Sequence, residues 1–174
     1  MTRTVFTVGH SNKSLDEFLA MLQAHGVEVV ADVRTIPRSL RNPHFAQASL
    51  PQSLARVGIG YVHLPDLGGL RKARPDSINA GWHNASFRGY ADHMQTPAFA
   101  TAFEDLLQRT SKARMALMCA EAVPWRCHRS LIADALLTHG VEVKDIMGPT
   151  RATSHKLTPF ARVEGTRITY PAIV

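Results

Sequence analysis

TVFTVGHSNKSLDEFLAMLQAHGVEVVADV, residues 4–33, decides the fold. Thr4 to Gly9 is short, apolar and rich in β-branched residues, which suits a buried strand. It ends in Gly9-His10-Ser11-Asn12. Ser14 followed by Glu17 is a capping box. Leu15, Phe18, Leu19 and Leu22 then keep helical spacing, and Gly26 is a fitting helix stop. Val27 to Val33 is a second apolar strand, interrupted by Glu28 and Asp32. Strand, helix and strand within about thirty residues make a βαβ unit, which implies parallel pairing and a right-handed crossover.

The same alternation continues outward. After Asp32 comes a basic loop, Val33 to His44, broken by Pro37 and Pro43. A helix is expected over Ser49 to Val57 and a third strand over Tyr61 to Leu64. Pro65 to Ser86 reads as a long irregular piece, and a loop of that length is usually functional or mobile. A short helix is expected over Phe87 to Met94. Thr96-Pro97 caps another, with Phe99, Phe103, Leu106 and Leu107 at helical spacing. Met115 to Cys119 is the fourth strand, a helix follows from about Pro124 to His139, and Val141 to Met147 is the fifth strand. The tail holds a hairpin over Phe160 to Tyr170 with its turn at Glu164-Gly165. The expected fold is α/β in three layers: a mostly parallel sheet of about five strands, helices on both faces and a small C-terminal hairpin. Residues 1–174 read as one domain.

Composition bounds the function. Hydrophobic residues make up 45% and charged residues 20% of 174, an ordinary globular balance rather than a disordered one. The net charge is +6 and the pI about 9.8, which suits an anionic partner: a small anionic ligand, or nucleic acid. Two cysteines in one motif do not make a secreted disulfide scaffold. Met1-Thr-Arg-Thr-Val-Phe6 carries no apolar signal run, and no apolar stretch is long enough to span a membrane. No membrane association and a cytoplasmic location are expected; the oligomeric state is open.

In a parallel sheet, ligands bind beyond the carboxyl ends of the strands. The strand reading brings three polar clusters there: His10 and Ser11 from the first strand, Asp32 and Arg34 from the second, Cys119 and Glu121 from the fourth. Cys127, His128 and Arg129 open the helix after it. Leu131, Ile132, Ala135 and Leu136 form its apolar stripe, and helical spacing places Cys127 and His128 on that stripe, one turn earlier. A helix start favours anions, Arg129 adds positive charge, and a thiol there has a lowered pKa.

Plainer roles stand beside these. Cys119 and Cys127 are equally readable as small core residues. His128 suits a loop hydrogen bond, Glu121 a pairing with Arg126 or Arg129, and Asp32 with Arg34 a structural ion pair. Trp82 and Trp125 read as packing anchors rather than a base-stacking platform. Three functions compete. The first is an enzyme for a small anionic, phosphate-bearing or nucleotide-like substrate. In it Cys119 or Cys127 is the thiol, His128 the acid/base, Asp32 and Glu121 orient groups or move protons, and Arg34 and Arg129 hold the anion, with His10 and Ser11 beside them. The second is a metal-binding protein using the same pocket; the seven residues between the cysteines match no zinc knuckle. The third is a nucleic-acid-associated module using Arg34, Arg38, Arg41, Arg71, Lys72 and Arg74. The cysteine phosphatase cradle does not fit either. Cys119 to Arg126 is one residue too long for Cys-x5-Arg, and Pro124 removes a donor.

Thr7-Val-Gly-His-Ser11, Asp32-Val-Arg34 with Pro37 and Ser39, Leu67-Gly-Gly69, Phe87-x-Gly-Tyr-Ala91, Cys119-x-Glu121 and Cys127-His-Arg129 occur in this order. As a set, and with His155-Lys-Leu-Thr158 and Tyr170-Pro171 in the tail, they resemble domain-of-unknown-function family 488. The resemblance runs from about residue 4 to the tail. It implies a cytoplasmic α/β domain in which the matching motifs form one site, with Tyr90 among its substrate-binding residues. It supplies no cofactor, which stays unknown, and no substrate or mechanism. One departure is Asp145-Ile146, where the family pattern has a histidine before the isoleucine.

Overall fold

A computed structural model of the chain describes residues 3–172. The readings that fall on Met1, Thr2, Ile173 and Val174 lie outside the described residues. β1 (Thr4–Gly9), α1 (Leu15–Ala24) and β2 (Val29–Asp32) form the expected βαβ unit, with Ser14 capping α1 by accepting from the Glu17 N–H. α2 (Leu50–Ala55), β3 (Gly60–His63), α3 (Ala85–His93), α4 (Pro97–Thr110), β4 (Met115–Cys119), α5 (Arg129–Thr138) and β5 (Glu142–Gly148) follow.

The main sheet has six strands in the order β3-β2-β4-β1-β5-β6. The first five are parallel; β6 (Arg151–Ser154) runs antiparallel to β5 along the edge. β6 is short, polar and largely exposed, so it carries no apolar pattern by which sequence reveals it. β7 (Arg162–Glu164) and β8 (Arg167–Thr169) make the C-terminal hairpin. Its two-residue turn is Gly165-Thr166, one position later than expected, because Gly165 adopts the left-handed φ of 65°.

The period-two alternation of strand side chains divides the core. Phe6, Val8, Val30 and Met118 face α1 and α2. Val5, Ala31, Leu117 and Cys119 face the opposite layer with α4 and α5. β1 and β4 are neighbours paired Gly9 to Cys119, yet the helices that follow them lie on opposite faces of the sheet. Their outgoing loops therefore diverge, which opens a crevice at the carboxyl ends of the two strands.

Two expectations need correction. The helix expected from Pro124 begins at Arg129. A single 3-10 turn covers Pro124–Arg126, and Cys127 is then extended, with φ −133° and ψ 144°, which breaks the helical path. Cys127 and His128 thus lie before the helix rather than on its stripe. The irregular 65–86 piece is tied down, not loose. The buried Asp92 carboxylate accepts from the Ser77 hydroxyl (2.6 Å), the Asn79 amide (2.8 Å) and the Arg74 backbone N–H (2.8 Å).

Candidate active site

A cavity of about 400 Å³ opens at the carboxyl end of β4. Cys119, Glu121, Cys127, His128, Arg34 and Tyr90 all line it. These six of the ten expected site residues share one space. Asp32 and Arg129 lie beneath it, while His10 and Ser11 line a more open neighbouring cleft that meets it at Ala120.

The two thiols are not equivalent. Cys119 ends β4 on the face that packs against α5, so it meets Arg129 from the first turn of that helix. Arg129 is completely buried. Its Nη1 donates to Cys119 Sγ at 2.7 Å and to the Glu121 carbonyl at 2.7 Å; its Nε donates to Thr7 Oγ1 at 3.2 Å. Burial pushes the Cys119 thiol up, but the hydrogen bond with Cys127 and the Arg129 charge more than offset it, leaving the pKa lowered to about 7. Cys127 goes the other way. Burial and the ionised neighbour hold it as a protonated thiol, raised well above the usual range. Arg129, expected to hold a substrate anion, is buried beneath the cavity and donates to the Cys119 sulfur.

His128 donates from Nε2 to the Val33 carbonyl at 2.7 Å, which fixes the ring proton there. Its Nδ1 lone pair faces Cys127 Sγ at 3.5 Å. Burial lowers its pKa to about 4, so it is neutral at pH 7. The Cys127 thiol thus stands between the Cys119 sulfur, to which its S–H donates, and the neutral imidazole.

Asp32 has no free lone pair for proton transfer. Its Oδ1 accepts from the Arg34 backbone N–H (3.1 Å) and Nε (2.9 Å), and its Oδ2 from Arg34 Nη2 (2.7 Å) and the Tyr61 hydroxyl (2.5 Å). It positions Arg34, which borders the cavity. His10 does the same from the other side. Its Nδ1–H donates to the Ser11 carbonyl at 2.8 Å, so Nε2 accepts from Arg34 Nη1 at 3.3 Å. Burial lowers its pKa to about 4, and Phe45 stacks on the ring at 4.4 Å. Ser11 takes a left-handed φ of 47° and contributes its carbonyl here; its hydroxyl reaches only Asn12, at 3.4 Å. The Tyr90 hydroxyl donates to the Leu67 carbonyl at 2.8 Å, so this residue offers the cavity only its ring.

Glu121 and Arg126 are exposed at the cavity edge and form no ion pair with each other among the described residues. Arg38 completes a basic rim. Gly68 lets the Leu67-Gly-Gly69 loop close over this space: a Cβ there would lie 2.3 Å from Thr35 Oγ1 and 2.7 Å from the Thr35 backbone. Gly9 is required for a similar reason, since its Cβ would fall 1.5 Å from the Glu121 carbonyl oxygen. Thr7, which supports Arg129, is a residue the sequence reading missed. A β-branched residue inside a strand carries no signal beyond strand propensity.

No three His, Cys, Asp or Glu side chains among the described residues converge as a metal-ligand set. The reason is local: Arg34 and Arg129 already occupy the positions facing Asp32 and Cys119. No helix among those residues is long and apolar enough to cross a membrane. Of the six basic residues of the nucleic-acid reading, Arg34 is buried, Arg71 donates to the Gly68 and Pro65 carbonyls, and Arg74 pairs with Asp76. Trp125 is 65% exposed and anchors no core; Trp82 does, packing against Phe87, Phe160 and Tyr170.

The family model described as "Domain of unknown function DUF488" matches residues 14–136. That span holds both cysteines, Arg34 and His128, and leaves Thr7-Val-Gly-His-Ser11 and the tail motifs outside it. No curated protein and no solved structure matches the chain.

Proposed function

The chain belongs to the DUF488 family, whose description carries no activity, and from the geometry of its site we propose that it is a thiol-dependent enzyme acting on a small anionic, phosphate-bearing or nucleotide-like substrate. The observation that carries this reading is the 2.7 Å contact between Arg129 Nη1 and Cys119 Sγ at the wall of a cavity rimmed by Arg34, Arg38 and Arg126. A buried guanidinium with a thiol as its partner stabilises the thiolate, the nucleophilic form. A pKa near 7 leaves about half of Cys119 ionised at neutral pH.

In this reading the rim arginines bind the substrate's anionic group and bring its electrophilic atom to Cys119. The sulfur lone pair forms the new bond. The bond to the leaving group breaks toward that group, which takes a proton from the Cys127 thiol. Water then attacks the covalent intermediate, restores the Cys119 thiolate and returns a proton to Cys127. His128, neutral and fixed by Val33, packs its ring against the Cys127 sulfur and acts as a positioning residue.

The test is alkylation by iodoacetamide, followed by mass spectrometry across pH 5–9, a range of about two units either side of the expected midpoint. Cys119 is expected to be modified with a midpoint near pH 7, and inorganic phosphate to protect it by occupying the rim. Two thiols inert below pH 8, or no protection, would sink the reading.

A further inference from the structure

On the other side of the Pro124–Arg126 turn lies a second cavity, of about 560 Å³. The first cavity takes Arg126 from this turn, the second Trp125. Nothing in the thiol chemistry uses this space.

Its walls are unusual in three ways. Trp125 leaves most of a large aromatic surface in water at the cavity wall, which packing does not require. Trp82 and Phe160, packed edge to face on each other, also line it. The floor contains the Asp145 carboxylate. Its Oδ1 accepts from the Thr7 hydroxyl, whereas its Oδ2 lies 3.8 Å from His155 Nδ1, beyond hydrogen-bond reach, and keeps free lone pairs. At the lip stand Arg151 and Lys156, both exposed. Neither enters a salt bridge among the described residues.

We propose that this cavity is a nucleotide-binding site, in which a nucleobase lies against the exposed Trp125 ring with its polar edge toward Asp145, and a phosphate reaches Arg151 and Lys156. The class follows from the combination. Flat aromatic walls select a planar ring. A buried carboxylate acceptor selects a ring whose edge donates. Paired cations at the mouth select an attached anion. The volume falls within the range of small-molecule sites.

The site is also wired to the thiol. Asp145 accepts from Thr7, Thr7 accepts from Arg129, and Arg129 donates to Cys119. His155, held between Asp134 and Asp145, completes the floor. The binding test does not depend on that link or on any activity of Cys119.

Binding of adenosine 5′-monophosphate to the whole chain is measured by calorimetry and by tryptophan fluorescence, before and after alkylation of Cys119. Saturable binding with quenching is expected, unchanged by alkylation and by Arg38→Ala at the first cavity. Trp125→Ala is expected to weaken both adenosine 5′-monophosphate and adenosine. Arg151→Ala combined with Lys156→Ala is expected to weaken the monophosphate about a hundredfold, about tenfold for each lost charge-assisted contact, and leave adenosine unaffected. All four substituted side chains are exposed, so the fold is not at stake. No binding up to about 10 mM, a bound beyond which affinity is negligible, would overturn the proposal. So would binding indifferent to these variants but lost on alkylation or in Arg38→Ala, since that places the nucleotide in the cysteine cavity.

Discussion

The guanidinium of Arg129, with no exposed surface, places Nη1 2.7 Å from the sulfur of Cys119, ten residues earlier in the chain. The helix after β4 sends its first side chain back under the strand that precedes it. An arginine buried this deeply needs a counter-charge, and among the described residues the only acidic atom it touches directly is that sulfur. The contact therefore links stability to reactivity.

Arg129→Met removes the charge and leaves Cys119, Thr7 and two loop carbonyls without their donor. Loss of one partner from a buried pair costs about 3–5 kcal/mol, and urea unfolding is expected to show a loss of that size. Arg129→Lys keeps a charge but cannot reach all these acceptors, so it is expected to fall between the two.

Cys127→Ala removes the hydrogen bond that helps hold the Cys119 pKa down. The alkylation midpoint of Cys119 is expected to move upward from about pH 7, and Cys119→Ala to abolish modification in that range. An unchanged midpoint in Cys127→Ala would show that Arg129 alone sets it.

His10 and His128 both have pKa values lowered to about 4, chiefly by burial, against an unfolded value near 6.5. Between these values the unfolded chain binds more protons than the folded one. The stability these neutral rings contribute is fully present above pH 6.5 and is lost as pH falls toward 4. Urea midpoints measured from pH 7 down to 4 are expected to fall, and to fall less steeply in His10→Gln, whose amide cannot titrate.

His155 is expected to behave oppositely. Burial acts to lower its pKa, yet the Asp134 and Asp145 carboxylates raise it to about 9. Its contribution is therefore complete below the unfolded value of about 6.5 and disappears as pH rises through 9. Cys119, with a depressed folded pKa, gains stability over part of the same range, so the comparison is with His155→Gln. The variant is expected to match wild type more closely at pH 9.5 than at pH 6, two values bracketing the transition.

Gly9→Ala drives a methyl into the Glu121 carbonyl, 1.5 Å away, and to 3.0 Å from Arg129 Nη1. The Cys119–Glu121 turn has to move. Destabilisation of at least about 1–3 kcal/mol is expected by urea unfolding, together with a raised Cys119 alkylation midpoint, because the Arg129 contact lengthens.

The strands and helices were legible because their signals are local. Val5, Phe6, Thr7 and Val8 alternate between two apolar layers, and Phe18 and Leu22 repeat on one helical face. β6 was not legible, since a polar edge strand has no such alternation. The start of α5 was misplaced because proline at a first helical position also suits a 3-10 turn, and nothing in Trp125-Arg126-Cys127 marks the extended residue that follows. The meeting of Cys119 and Arg34 at one sheet edge followed from reading their strands as parallel, whereas Cys127 and His128 were placed there by a helical stripe that the extended Cys127 breaks.

The sequence by itself thus determined the layers of this protein and the edge at which its polar residues meet. Periodicity encodes which face a side chain occupies, and the parallel sheet sends successive strand ends the same way. Only the tertiary structure decided what those residues are. Cys119 rather than Cys127 is the thiol whose pKa is lowered, Asp32 is spent on Arg34 and Tyr61, and Thr7, Asp145, His155 and Asp134 form one network from four separate elements or loops. Charge state and hydrogen bonding depend on burial and on the nearest partner in space. Those partners, such as Thr7 for Arg129, stand as much as 122 residues away in the chain.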